Sequence, residues 1–141
     1  MAVDIGQPAV SQEPNASLRH RWSVVTALLL AAIFAQAVFA GAMLSGVGWA
    51  HAAHAINAGL LTGAALLAAL AGAVTLRRIA QGRRLVLTLL ALSATMFVQM
   101  AAGRMSESGA NLMWLHVPLG VALVGLAAQA ASGARRLGPA Q

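Results

Sequence analysis

The chain of 141 residues is 60% apolar and only 9% charged, which is too little charge to cover the surface of a soluble domain. Its basic residues are all arginines, and they stand in short clusters between long apolar runs, a pattern typical of membrane topology that argues against a nucleic-acid-binding face. The absence of Cys excludes disulfides, thiolate metal sites and a Cys nucleophile.

Four uncharged runs predict four membrane-spanning helices. The first segment, residues 1–19, is rich in Pro, Gln and acids and predicts a disordered tail. A transmembrane domain at residues 20–134 follows, with spans at 22–44, 51–76, 85–103 and 111–134, and residues 135–141 form a second tail. At about 1.5 Å per residue each run can cross a hydrocarbon core of about 30 Å, the third only just. The sequence predicts an all-α integral membrane protein, an up-down-up-down four-helix bundle.

The arginines predict the orientation of this bundle. If the four spans alternate in direction, eight arginines lie on one side and only Arg104 lies on the other. Because cytoplasmic segments carry the excess of positive residues, we expect a multi-pass protein of the cell membrane with both termini in the cytoplasm. A cleaved signal peptide is the alternative for the first span, since residues 38–40 before Gly41 look like a cleavage site, but the apolar run exceeds the ~7 to 15 residues of such a peptide.

A weak internal repeat is visible when the chain is shifted by 62 residues against itself. The shift superposes Ala40, Gly41, Met43 and His54 on Ala102, Gly103, Met105 and His116, and Leu61, Ala65, Ala68 and Ala69 on Leu123, Ala127, Ala130 and Ala131. Both copies are an outward helix, an outer loop and an inward helix. Two such like-oriented hairpins are related by an axis along the membrane normal, which predicts that His54 and His116 face each other at equal depth.

His54 and His116 are the candidate metal ligands. Each lies roughly 7 Å below the outer start of its helix, and an ionisable side chain within a membrane faces the bundle interior by default. The small residues Ala58 and Gly120 lie one turn deeper and predict open space beneath the imidazoles. Two neutral imidazoles across a four-helix core are what axial ligation of haem b requires. Arg104, at the outer end of the third span, is the candidate partner of a haem propionate.

Residues 49–54, Trp-Ala-His-Ala-Ala-His, and 114–120, Trp-Leu-His-Val-Pro-Leu-Gly, carry a resemblance. Four helices with one His near the outer start of the second and one near the outer start of the fourth resemble one half of the haem A synthase family, and also small four-helix membrane proteins of actinobacterial type. The resemblance covers residues 22–132 and implies haem ligation by His54 and His116. A full synthase has two such halves and an acid in its catalytic half, whereas this chain has one half and no acid beside His54.

Other interpretations of the same residues stay open. His51, one turn nearer the surface on a similar face, is the alternative ligand on the second helix. Met43, Met105 and Met113 together with His51 are typical of a soft Cu(I) site, although Met is also common filler of a core. Gln36 and Gln99, inside the first and third spans, are predicted to bridge helices by hydrogen bonds.

Two classes of function follow from the sequence. One is a b-type haem-binding or electron-transfer protein with a bis-histidine site near the outer face, and the other is a haem-free structural or assembly subunit of a larger membrane complex. No Ser/His/Asp set, carboxylate pair or phosphate loop occurs in the sequence, so no catalytic activity of the chain on its own is predicted. The expected partners are the lipid bilayer and either other membrane subunits or a second copy of the chain, without nucleic acid.

Overall fold

The computed structural model describes residues 13–138, which form four α-helices joined by short connections. Helix α1 spans Glu13–Leu44, α2 Ala50–Thr75, α3 Ala80–Glu107 and α4 Met113–Arg135. All four are long and apolar enough to cross a membrane, and residues 13–138 contain no strand. The predicted all-α fold with four candidate membrane spans is confirmed, and the chain fits an integral membrane protein.

Helix α1 begins inside the segment that the sequence assigned to a disordered tail. The predicted tail covered residues 1–19, but the chain is helical from Glu13 onward. Pro14 stands in the first turn, where the N–H that proline lacks has no helical partner to lose, and Ala16, Leu18 and Arg19 all favour helix. The rest of that predicted tail, residues 1–12, and the last three residues, 139–141, lie outside the described part of the chain.

The bundle has two chemically different ends. The end with the connections 45–49 and 108–112, called here the histidine end, lies next to His54 and His116. The opposite end, called here the arginine end, carries the connection 76–79 and the arginine clusters at the start of α1 and the end of α4. Both connections at the histidine end contain a glycine with positive φ, 81° at Gly46 and 101° at Gly109. The residue after each glycine donates its N–H to the carbonyl five positions earlier, at 3.0 Å in both cases, so α1 and α3 end in the same Schellman motif.

The connection between α2 and α3 packs its apolar residues inward and leaves its arginines outside. Leu76 and Ile79 are buried, whereas Arg77 and Arg78 between them are exposed. Gly82 lies so close to this turn that a Cβ there would stand 2.6 Å from both the Cβ and the carbonyl oxygen of Leu76. A side chain at position 82 would therefore push the turn away from α3.

The helices form a four-membered ring in chain order. Helix α1 packs against α2 and α4, and α3 packs against the same two neighbours, while the diagonal pairs make no backbone contact within residues 13–138. Short connections join consecutive helices, so each runs antiparallel to the one before it. The observed arrangement is the predicted up-down-up-down bundle.

Buried side chains repeat between the two hairpins at two different offsets. On α1 and α3 the offset is 63, so that Trp22, Thr26, Leu29 and Ile33 correspond to Leu85, Leu89, Leu92 and Met96. On α2 and α4 it is 62, so that Leu61, Ala65, Ala68, Ala69 and Gly72 correspond to Leu123, Ala127, Ala130, Ala131 and Ala134. Large side chains on α1 and α3 thus pack against mostly small ones on α2 and α4. The expected superposition of the second and fourth spans is correct, and that of the first and third is off by one residue.

The outer surface of the bundle is apolar along all four helices. Leu28, Leu67, Leu87 and Val121 are 65%, 68%, 65% and 70% exposed, respectively. Contiguous apolar surface of this kind on a soluble monomer would drive association, whereas lipid tails are its natural contact in a bilayer.

Candidate bis-histidine site

Two imidazoles meet in the middle of the bundle at its histidine end. The ring centroids of His54 on α2 and His116 on α4 lie 6.5 Å apart, and the ring planes are inclined at 53°. Both side chains are half-buried. Because α2 and α4 are diagonal neighbours, rings at this distance must both point to the bundle axis. The expected juxtaposition of the two histidines is present.

Each imidazole is held by a backbone carbonyl of the preceding helix. The Nδ1 atom of His54 lies 3.2 Å from the carbonyl oxygen of Gln36, and Nδ1 of His116 lies 3.1 Å from that of Gln99. A carbonyl oxygen only accepts, so Nδ1 carries the proton and donates it, and Nε2 of a neutral imidazole keeps its lone pair. This use of one ring nitrogen to fix the tautomer and the orientation is typical of histidines that bind a metal through the other nitrogen.

The same two glutamines return a hydrogen bond to each histidine. The side-chain amide of Gln36 donates to the carbonyl oxygen of His54 at 2.9 Å, and that of Gln99 donates to the carbonyl oxygen of His116 at 2.8 Å. The predicted role of the two glutamines as bridges between helices is confirmed. Each bridge joins the two helices of one hairpin, α1 to α2 or α3 to α4.

Asn57 belongs to this network and was not singled out by the sequence argument. Its side-chain nitrogen donates to Oε1 of Gln36 at 2.7 Å and to the carbonyl oxygen of Ala32 at 3.1 Å. The signal that could have found it is an uncharged polar residue in an apolar run, three positions after His54 and hence on a neighbouring part of the same helix face. The corresponding residue of the second hairpin is Leu119.

Small residues approach the second histidine and its glutamine closely. A Cβ on Gly103 would stand 3.1 Å from Cε1 of His116, so the ring lies directly against the backbone of α3. A Cβ on Gly120 would stand 3.4 Å from Nε2 of Gln99. The room expected beside Gly120 therefore holds the amide of Gln99, and the matching Ala58 on α2 is half-buried.

The remaining candidate residues lie at the rim of the histidine end. The side chain of His51 is 62% exposed, and its Nε2 stands 3.1 Å from Oε1 of Glu107, which links the start of α2 to the end of α3. Arg104 is exposed in the last turn of α3, and its guanidinium group makes no hydrogen bond within residues 13–138. The structure thus brings His54, rather than His51, next to His116.

The described residues offer the two-ligand histidine pair and no larger set of metal ligands. No group of three or more His, Cys, Asp or Glu side chains in residues 13–138 could hold a metal ion. Of the methionines considered with His51, Met105 and Met113 are 52% and 43% exposed. A donor set of two imidazoles suits a metal whose other ligands come with it, as the four nitrogens of a porphyrin do.

Comparison of the chain with protein-family models, with curated proteins and with solved structures gave no match.

Proposed function

We propose that the protein is a b-type haem-binding electron-transfer protein of the cell membrane, with His54 and His116 as the axial ligands. The observation that carries this proposal is the meeting of two imidazoles from diagonal helices, each fixed through Nδ1 by a backbone carbonyl. Neither ring is a lone polar side chain in the core, and neither has used its second nitrogen in a hydrogen bond within the described residues.

The separation of the rings supports the proposal. A bond from a metal to imidazole nitrogen is about 2 Å long, so two such bonds in line through one iron place the ring centroids roughly 6 to 7 Å apart. The centroids of His54 and His116 are 6.5 Å apart. The observed separation therefore matches the span of one iron with two imidazole ligands.

Packing around the rings also supports a bound molecule. Core residues nearer the arginine end, such as Leu61, Leu89 and Ala127, are at most 3% exposed. At the histidine end the inward-facing side chains of Gln36, His54 and their counterparts in the second hairpin are only half-buried. The core side chains are therefore more exposed at the histidine end, and these half-buried residues are polar.

Each residue has a distinct task in this proposal. Haem supplies one-electron chemistry at its iron. His54 and His116 would hold the haem iron through Nε2, and the carbonyls of Gln36 and Gln99 keep their Nδ1 protons in place, which makes Nε2 the more electron-rich nitrogen. Arg104 provides a planar cation at the same end for a propionate. The arginine asymmetry of the sequence supports an outer position for this end, where the site would exchange electrons near the outer face.

Reduced-minus-oxidised absorption spectra of the detergent-purified protein from haem-replete cells test the proposal. We expect the sharp bands of a haem with two histidine ligands, lost in His54→Ala and in His116→Ala because each variant removes an axial nitrogen. His20→Ala is the control, since His20 is an exposed residue near the arginine end. His51→Ala keeps the spectrum as well, because His51 lies at the rim.

Two results would contradict parts of this assignment. A wild-type protein without a Soret band would remove the haem. Loss of the spectrum in His51→Ala with survival in His54→Ala would keep the haem and move the ligand on α2 to His51.

A haem-free structural subunit is the second candidate, and the reciprocal Gln–His hydrogen bonds favour it. They satisfy the backbone carbonyls and one nitrogen of each ring without any cofactor. In that role the variants His54→Gln and His116→Gln would keep the stability of the wild type, because the amide of the introduced Gln can donate to the carbonyl that Nδ1 contacts. The wild-type protein would then show no haem absorption bands. The absorption measurement therefore separates the two candidates.

A further inference from the structure

A polar cavity lies between α3 and α4 at the arginine end, remote from the histidines. It has a volume of about 370 Å³, and its lining includes Gln81, Arg84, Thr88, Gln129 and Arg136. Two guanidinium groups therefore border one cavity, one from the first turns of α3 and the other from the residue that follows α4.

The positive charge of this cavity has no described counter-ion. The chain has three acidic residues, and the only one with a described side chain, Glu107, pairs with His51 at the opposite end. Arg84 and Arg136 make no hydrogen bond through their side chains within residues 13–138. A concave site with two unpaired guanidinium groups attracts an anion, and the planar forks of arginine fit phosphate oxygens in particular.

Gln129 adds a polar group to the part of the cavity that lies further from the arginine end. It stands seven residues before Arg136, which on a helix is roughly 10 Å along the axis of α4. Its amide is exposed and has no hydrogen-bond partner in the described part of the chain. An amide at this depth needs a polar partner, because hydrocarbon supplies none. A molecule that places a phosphate beside the arginines and ester oxygens beside Gln129 would provide partners for both.

The fold does not require these polar residues. At the α2/α4 offset of 62, Gln129 corresponds to Leu67 and Arg136 to Val74, which are 68% and 69% exposed. The first hairpin therefore places apolar, lipid-facing side chains where the second hairpin places an amide and a guanidinium. At the α1/α3 offset of 63, Arg84 corresponds to Arg21, so the departure lies on α4 and gives the groove between α3 and α4 polar groups that the first hairpin lacks.

We propose that the cavity binds the phosphate group of an anionic membrane lipid, with Arg84 and Arg136 on the phosphate and Gln129 on the ester region beneath it. Basic pockets between transmembrane helices on the cytoplasmic side are suited to such headgroups. The assignment is independent of haem, since it uses none of the residues of the bis-histidine site.

Native mass spectrometry of the full chain, delipidated in detergent and titrated with phosphatidylglycerol or phosphatidylcholine, tests the proposal. We expect one saturable phosphatidylglycerol, preferred over the zwitterionic lipid. The double variant Arg84→Gln/Arg136→Gln should lose on the order of thirtyfold in affinity, since each guanidinium near the surface contributes about fivefold. Gln129→Leu, which installs the residue of the first hairpin, should lose about threefold.

A second arginine pair provides the matched control. Arg77 and Arg83 border a separate cavity of about 340 Å³ on the other side of α3, whose other lining residues are apolar. The double variant Arg77→Gln/Arg83→Gln removes the same charge and should stay within about twofold of wild type, because nearby but unspecific charge contributes little to a site it does not touch.

Three results would overturn the site. Equal losses in both double variants would mean diffuse attraction to the arginine end, and no loss in either would mean that the lipid binds elsewhere. Displacement of phosphatidylglycerol by millimolar inorganic phosphate would assign the cavity to a soluble phosphate instead. If Arg84→Gln/Arg136→Gln does not fold, as judged by circular dichroism, the single variants carry the same comparison, with losses of about fivefold expected for each arginine and about threefold for Gln129→Leu.

Discussion

Asn57 distinguishes the two hairpins at the residue scale. In the first hairpin it donates to Oε1 of Gln36, so both ends of that amide are satisfied. Leu119 stands in its place in the second hairpin, and Oε1 of Gln99 is buried without a partner in the described residues. A buried acceptor of this kind calls for a donor from a water or a ligand. A molecule bound between the two histidines would therefore gain a hydrogen bond by placing a donor next to Gln99, and no such gain exists next to Gln36.

Replacement of Asn57 by Leu should reproduce this unpaired acceptor in the first hairpin. Hydrogen bonds between membrane helices contribute about 0.6 kcal/mol on average and an orphaned buried acceptor costs about 1 to 3 kcal/mol, so we expect Asn57→Leu to lower the free energy of unfolding by about 1 to 2 kcal/mol. The measurement is equilibrium unfolding in mixed detergent micelles. The double variant Gln36→Leu/Asn57→Leu should recover part of the loss, because it removes the orphaned acceptor too. Asn57→Leu with wild-type stability would contradict the role of the network.

At the scale of elements, the sequence predicted the helices and the pairing of the two histidines correctly, but it predicted the residue offset between α1 and α3 incorrectly by one. Long apolar runs are sufficient to predict spans because a bilayer allows few alternatives to a helix. His54 and His116 were paired correctly because α2 and α4 do repeat at an offset of 62. The matches of Gly41 with Gly103 and of Met43 with Met105 were coincidences of composition, since the buried residues of α1 and α3 repeat at 63.

The remaining differences also have local causes. The two hairpins differ by one residue between the glycine of the connection and the histidine, eight positions from Gly46 to His54 and seven from Gly109 to His116. A comparison of the chain with itself at one constant offset cannot align the residues on both sides of this difference. The contact of His51 with Glu107 depends on the rotation of α2 relative to α3, which apolar runs do not specify. The bounds of α1 and α3 differed most, because these two helices extend beyond the apolar residues that reveal them.

Gly82 provides the prediction at this scale. A methyl group there would stand 2.6 Å from the carbonyl oxygen of Leu76, so Gly82→Ala must displace the turn between α2 and α3, and we expect a loss of about 1 to 3 kcal/mol in the free energy of unfolding. Gly63→Ala is the matched control, because nothing lies within 4 Å of its Cβ. That variant should be neutral or more stable by up to about 1 kcal/mol, as expected for Gly to Ala within a helix. Equal effects in the same unfolding assay would contradict the close approach.

On the scale of the whole molecule, the two ends of the bundle have different chemistry. The arginine end combines a buried apolar core with a basic rim, and the histidine end combines half-buried amides with imidazoles. The basic rim is the feature that orients a membrane protein during insertion. The site proposed for haem and the site proposed for lipid consequently lie at opposite faces of the membrane.

Cysteine labelling tests this orientation, and the absence of native Cys makes every introduced thiol unique. We expect a membrane-impermeant maleimide to label Ser45→Cys and Ser108→Cys in intact cells, because both lie in connections at the histidine end, which the arginine asymmetry predicts to face outward. Gln81→Cys should react only after permeabilisation. The reverse pattern would invert the bundle and place the bis-histidine site near the cytoplasmic face.

The hydrogen bonds of the histidine end have a mechanical consequence. Each Gln–His bridge lies within one hairpin, and the only hydrogen bond between hairpins in residues 13–138 is the exposed contact of His51 with Glu107. An exposed pair of this kind contributes about 0 to 1 kcal/mol. Parting the hairpins at this end therefore costs packing and this one exposed contact, and it leaves the imidazoles of His54 and His116 each tethered to its own hairpin. The relative position of the two histidines is consequently set by helix packing, because no hydrogen bond of the described residues joins one of these two side chains to the other hairpin.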